Sequence, residues 1–278
     1  MANPHPRDLP AEPSVPQSWT YAWIVVNTLV AMVLGTGITV LLHELAHWVT
    51  GAALGSQATL FAFGVTYHPP LTGTAAAGAA AAGPVASLVI GSVMQVLQPF
   101  RFRGDFAHLL WIWVAVTSLM QAAVYLAITP YGGDVATIVR ELSLPAWSAW
   151  VAVAVGVAAM LGVAHQWAIH SVRLCGRDLT RLRCFSGYPW LIGAAILVGL
   201  AAVTTDLSGM PFTDRERAVV LVAAVAQTVF APLSLLIVRW VNELEEPLLV
   251  KPVPWVGLVA CVGLIGFNLA IGGGLVLG

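Results

Sequence analysis

Seven apolar runs, most about twenty residues or longer, decide what this 278-residue chain can fold into. They lie near 21–47, 75–98, 106–128, 146–169, 189–205, 218–238 and 254–277, the fifth being the shortest. A hydrocarbon core of roughly 30 Å takes about 20 helical residues to cross. Only helices and closed barrels satisfy their backbone polar groups in lipid. These runs have helical length, unlike the ten-residue alternations of a barrel. The expected fold is therefore all-α, a polytopic transmembrane helical bundle of about seven spans. Composition agrees: 59% of residues are hydrophobic and only 9% charged, where a soluble domain is about a quarter charged.

The segments outside the spans are short, and none has room for a separate soluble domain. The first 20 residues, MANPHPRDLPAEPSVPQSWT, hold five prolines and little apolar surface. They are expected to form a disordered tail, since burial there cannot offset the entropy of ordering. They lack a basic start, and the apolar run that follows is too long for a signal core, so a cleaved signal peptide is not expected. The cysteines, Cys175, Cys184 and Cys261, are odd in number and one lies in a span, so no disulfide framework is implied. A net charge of −1 gives no sign of a nucleic-acid partner. The 171–188 connection carries Arg173, Arg177, Arg181 and Arg183, and the 240–252 connection is acidic and reads as solvated. Between the first two spans, TLFAFGVTYH is rich in aromatic and β-branched residues and is flanked by Gly and Pro-Pro. It reads either as a short re-entrant hairpin within 55–73 or as an ordinary apolar connector.

The chemistry concentrates in TVLLHELAHWVTG, residues 39–51, at the end of the first run. His43 and His47 are four apart, so on a helix they leave from one face and can share an ion. Glu44 follows the first histidine, where its carboxylate can reach water at that ion. This is the HExxH arrangement with the glutamate as general base. An ionisable group at the centre of a membrane helix costs roughly 2.5–3.5 kcal/mol, and less near its end, so such groups are usually functional. The alternative is a polar cluster satisfied by neighbouring helices.

Zinc hydrolases normally use three protein ligands and leave a fourth position to water. Asp134 is the best third candidate. It follows a span ended by Pro130 and the flexible pair Gly132-Gly133, where the chain can turn a carboxylate inward. Chain parity also returns it to the side of His47. The competing reading is a helix N-cap. Glu243 lies on the opposite side by the same parity. His68 is a loop histidine that could approach from the hairpin, and His108, His165 and His170 lie near span ends. In the second span, Gly78 with Ala82 and Ala79 with Gly83 offer small-residue spacings for close helix approach. Pro84 is expected near that helix's start, freeing backbone groups. Trp23, Trp48 and Trp190 read as interfacial anchors.

HELAH in a transmembrane helix, AAAAGPVASL in the next, and a glycine-preceded Asp after a later one together resemble the site-2 protease family of intramembrane zinc metalloproteases. The resemblance covers about residues 30–145. It implies a metalloprotease core over 21–145, with additional transmembrane helices of unassigned role over 146–278. It also implies one zinc ion per chain held by His43, His47 and Asp134, with Glu44 activating water. The activity implied is cleavage of membrane-embedded protein substrates, helped by an edge strand within 59–68. The chain is closer to a compact bacterial branch, which implies a bacterial plasma membrane. It departs from the family pattern at Ser87, where Asn is frequent, at Val135, where Gly often follows the Asp, and at Thr129-Pro130, which stands in place of an Asn-x-x-Pro stretch. Two other readings are a membrane zinc hydrolase acting on a lipid or small amide, and a zinc-binding scaffold, against which an intact Glu44 argues. With seven spans, nine basic residues fall on the amino-terminal side and three on the other. That count places the amino terminus in the cytoplasm, whereas the resemblance places the metal nearer the cytoplasm. The family orientation is the expectation taken.

Overall fold

A computed structural model describes residues 17–210, 212–242 and 250–277. In chain order its elements are α1 (Gln17–Ala53), β1 (Gln57–Phe61), β2 (Gly64–His68), α2 (Gly73–Leu97), α3 (Phe106–Ala127) and α4 (Asp134–Glu141). There follow α5 (Trp147–Cys175), α6 (Leu179–Leu182), a π turn over Arg183–Gly187, α7 (Tyr188–Leu207), α8 (Asp214–Ala226) and α9 (Phe230–Ile237). α10 (Trp255–Ala270) and β3 (Leu275–Leu277) complete it. Among the described residues six helical stretches are long and apolar enough to cross a membrane, and α8 with α9, bent by 45° at a short break, make a seventh if counted as one span. The protein is an all-α helical bundle of the membrane type, as its apolar runs require.

Several boundaries differ from expectation, each for a local reason. α1 begins at Gln17, so residues 17–20 of the expected tail are helical; the rest of that tail lies outside the described residues. Most of the arginine-rich connection at 171–188 is helical. α5 continues to Cys175, and α6 starts under Asp178, whose side chain accepts from the N–H groups of Thr180 and Arg181. The π turn then runs directly into α7. The last apolar run is not helical to its end. Gly274, at φ +91°, turns the chain out of the helical geometry and β3 follows.

The expected hairpin is present. β1 and β2 pair antiparallel from Gln57 opposite His68 to Phe61 opposite Gly64. The third strand was not anticipated: β3 pairs antiparallel with β1, giving the order β2-β1-β3. β1 is thus central, and β2 keeps an outer edge.

α3 is the central helix. Asp105 caps its start by accepting from the His108 N–H at 3.0 Å. Burial pushes the Asp105 carboxyl up, but that bond and the bond and charge of Arg103 outweigh it and hold the group below its ordinary value. Farther along, Trp113 is fully buried against Trp167 of α5 (ring centroids 4.4 Å apart) and Phe230 of α9 (5.3 Å). Trp167 also stacks on Phe185 of the π turn and donates from Nε1 to Ser186 Oγ at 2.9 Å. The later helices are therefore joined to α3 through a dry aromatic cluster in which the Trp167 indole donor is satisfied.

Candidate metal centre

His43 and His47 project from one face of α1, and their Nε2 atoms lie 3.1 Å apart. Asp134 Oδ2 stands 3.0 Å from His43 Nε2 and 3.2 Å from His47 Nε2. Three ligand atoms thus form a nearly equilateral triangle. A tetrahedral ion with bonds of 2.0–2.2 Å holds its ligand atoms roughly 3.3–3.6 Å apart, so the triangle needs to open by only a few tenths of an ångström. Among the described residues this is the one group of three side chains able to hold a metal ion together.

The far side of each ring supports this assignment. His47 Nδ1 lies 2.7 Å from the carbonyl of Ala79, which can only accept, so Nδ1 carries a proton and the neutral ring presents its lone pair on Nε2. His43 Nδ1 lies 3.0 Å from Ser87 Oγ, which in turn lies 3.1 Å from Gln121 Oε1. With the His43 proton on Nδ1 as well, three electron-rich atoms converge on one point, an arrangement that a cation satisfies. Outer partners of this kind orient metal-ligating histidines. Tyr125 stacks on the His43 ring, centroids 4.8 Å apart and planes 9° from parallel.

Gly83 keeps that point open. A Cβ there would run into His47 Nε2 and would sit 2.6 Å from His43 Nε2. Any side chain at 83 would fill the place where the ligands meet, so the small-residue face of α2 does more than bring two helices together. Pro84 sits well inside α2 and not near its start, because the helix runs unbroken from Gly73. Lacking an N–H, it leaves the carbonyl of Ala80 without its helical donor, and Ala80 lines the cavity beside the triad.

Asp134 owes its position to the two glycines before it. Gly132 has φ +155° and Gly133 φ +85° with ψ −173°, a backbone course that a side chain would strain. Gly133 is the N-cap of α4 and Asp134 its first helical residue, so the carboxylate is turned to the histidines and the N-cap reading fails. At the other end of α4, Glu141 accepts from the N–H of Gly73 at 3.0 Å and ties the helix to the start of α2.

A cavity of about 310 Å³ adjoins the triangle. α1 contributes Glu44 and His47, α3 Gln121 and Tyr125, and α4 Asp134. β2 supplies Gly64, Val65 and Tyr67, and α8 closes the space with Val219, Val220 and Ala223. Tyr67 donates from its hydroxyl to the carbonyl of His47 at 3.2 Å. Burial first, then the nearby Glu44 and Asp134 charges, push its phenol up to about 12, so it remains a neutral donor. Trp48, read as an anchor, donates from Nε1 to the carbonyl of Ala58 at 2.8 Å and fastens the sheet to α1.

The remaining candidates lie elsewhere. His68 is exposed at the end of β2, and His165 is exposed on α5. His108 and His170 are buried away from the triad, His170 facing Gln95 at 3.1 Å. Glu243 lies outside the described residues. Sequence reasoning missed Gln121, Tyr125 and Tyr67. The first two carried a signal, being polar groups four residues apart, on one helical face, inside an apolar run. No family model, curated protein or solved structure matches the chain significantly.

Proposed function

We propose that this protein is an intramembrane zinc endopeptidase of a bacterial plasma membrane, acting on membrane-embedded protein substrates. The observation that carries the reading is the convergence of His43, His47 and Asp134 beside Glu44, on a cavity whose wall includes the outer strand of a sheet. Two imidazoles and one carboxylate suit zinc with one coordination position left open. When bound, zinc supplies Lewis acidity, polarising a carbonyl and making water nucleophilic near neutral pH.

The protein's own groups account for the rest. A helical substrate hides its carbonyls, so it must unwind before cleavage. β2 offers main-chain donors and acceptors to an extended peptide, because β1 is already paired on both edges. Glu44 removes a proton from water as its oxygen bonds to the peptide carbon and the carbonyl electron pair moves onto oxygen. When that pair returns, the C–N bond breaks and Glu44 passes the proton to the leaving nitrogen. The products are a carboxylate and an amine. α8 walls the cavity and limits bulk water around these steps.

The test is Glu44→Gln. The amide cannot accept the proton while the three ligands are untouched. Zinc content should equal wild type, and cleavage of a transmembrane peptide in detergent should fall by about 10²–10⁴-fold or more. Undiminished cleavage would remove Glu44 as the base. Hydrolysis of lipid or small amides with peptides left intact would favour the other hydrolase reading.

A further inference from the structure

Gln121 is 4% exposed in the middle of α3, and its Oε1 receives the hydrogen bond of Ser87 Oγ at 3.1 Å. The direction of the chain His43–Ser87–Gln121 follows from the ligand role of His43. To give its Nε2 lone pair to a metal, the ring must carry its proton on Nδ1 and donate it to Ser87. Ser87 then uses its own proton toward Gln121, which must present oxygen to it. The amide therefore cannot flip, and its NH₂ faces away from Ser87. Gln121 lines the cavity that also holds Glu44 and Asp134. Among the described residues nothing accepts from Nε2. A donor held in one orientation at the cavity wall is placed to bond whatever occupies the cavity.

Resting on the peptidase reading above, we infer that Gln121 is a catalytic residue whose Nε2–H donates to the carbonyl oxygen of the peptide bond being cut. As water attacks, the carbonyl electron pair moves to that oxygen, and the bond from Gln121 strengthens with the charge. When the pair returns and the C–N bond breaks, the bond relaxes. A preorganised donor of this kind stabilises the transition state more than the ground state. The Ser87 link gives it a second property: the same hydrogen-bond chain that sets the His43 tautomer aims the donor.

Gln121→Glu separates these effects, because a carboxylate still accepts from Ser87 but has no N–H to offer. Purified full-length protein is compared for zinc affinity by chelator competition, for kcat and KM on a transmembrane peptide, and for binding of a peptide phosphinate that mimics the tetrahedral, charged stage. Zinc affinity should change by less than the roughly 10–100-fold cost of losing an outer partner. The kcat should fall by about 10²–10³-fold with KM little changed, and phosphinate affinity should fall by a similar factor. Gln121→Met, which loses donor and acceptor alike, should show the same kcat loss at saturating zinc with weakened zinc binding besides. Wild-type kcat and phosphinate affinity in Gln121→Glu would overturn the inference. So would a loss of kcat that zinc saturation restores. A zinc-loaded wild type that cleaves no peptide would instead sink the peptidase reading itself.

Discussion

α3 has two different halves, and the contrast between them explains the molecule better than either alone. Around Trp113 the helix is packed in rings, with Trp167, Phe185 and Phe230 around it and the Trp167 indole satisfied by Ser186. Two turns later Gln121 and Tyr125 face a cavity, one bonded to Ser87 and the other stacked on His43. In lipid, apolar surface gains little by leaving the solvent, so helices associate through close packing and hydrogen bonds. The aromatic half supplies the packing, and every partner ring comes from the region beyond residue 146. The spans outside the resemblance therefore buttress the helix that frames the site, and α8 among them walls the cavity.

The sharpest way to break this contrast is at the ligands. Asp134→Ala removes one of the three groups that could hold the metal and leaves the aromatic half untouched. Zinc affinity should fall beyond the roughly 10–100-fold cost of an outer-shell loss, while metal-free thermal stability stays near wild type. Chelator competition and thermal unfolding in detergent measure the two. Equal zinc occupancy in variant and wild type would break the triad.

Trp167→Ala makes the opposite cut. Replacing a buried Trp by Ala costs 3–5 kcal/mol in water, and about 3 kcal/mol is expected here because the lipid reference removes part of the transfer term. The folded fraction should keep its zinc affinity. If zinc binding and stability fall together, the two halves are not separable.

How far the sequence reveals this arrangement depends on the range of the cause. Span length is a local property, and six of the seven apolar runs reappear as single long helices, the last of them shortened by β3, while the sixth run is broken into α8 and α9. The spacing of His43, Glu44 and His47 is likewise local to one helix. Asp134 could be approached because Gly132 and Gly133 announce a turn and parity narrows the side. β3 could not, because its pairing with β1 joins residue 277 to residue 58 across the chain. Gln121 is intermediate: a lone amide in an apolar run signals a partner, but Ser87 and His43 become that partner only through the packing of α2 between α1 and α3. Gly83 looked like one small residue among many, and only the position of the two Nε2 atoms shows what its missing side chain leaves room for.

Ser87→Ala should have a smaller effect. It leaves the three ligands in place but removes the acceptor for His43 Nδ1 and the donor to Gln121. Zinc affinity should fall by about 10–100-fold, and Ser87→Asn, which restores an acceptor and a donor, should recover part of it. Affinity unchanged in the alanine variant would show that ring stacking by Tyr125 suffices to hold His43.

The smallest effect is expected at Glu141, at the far end of α4 from Asp134. Its carboxylate accepts one of the unpaired N–H groups at the start of α2, from Gly73, with Arg140 beside it. The Gly73 bond first, and Arg140 second, hold this half-buried group below its ordinary value of 4.5. A carboxyl with a lowered folded pKa contributes stability that is fully present above its ordinary value and is lost as pH falls through the lowered one. Glu141→Gln keeps an acceptor but removes the charge. The variant should therefore exchange the Gly73 amide hydrogen faster than wild type near neutral pH, once rates are corrected for intrinsic chemistry. That gap should narrow below pH 4.5 and close once wild-type Glu141 is itself protonated. Metal-free protein is the right sample, since loss of a bound metal in acid then cannot contribute. A gap that persists unchanged in acid would mean that the shape of the side chain, not its charge, docks α4 on α2.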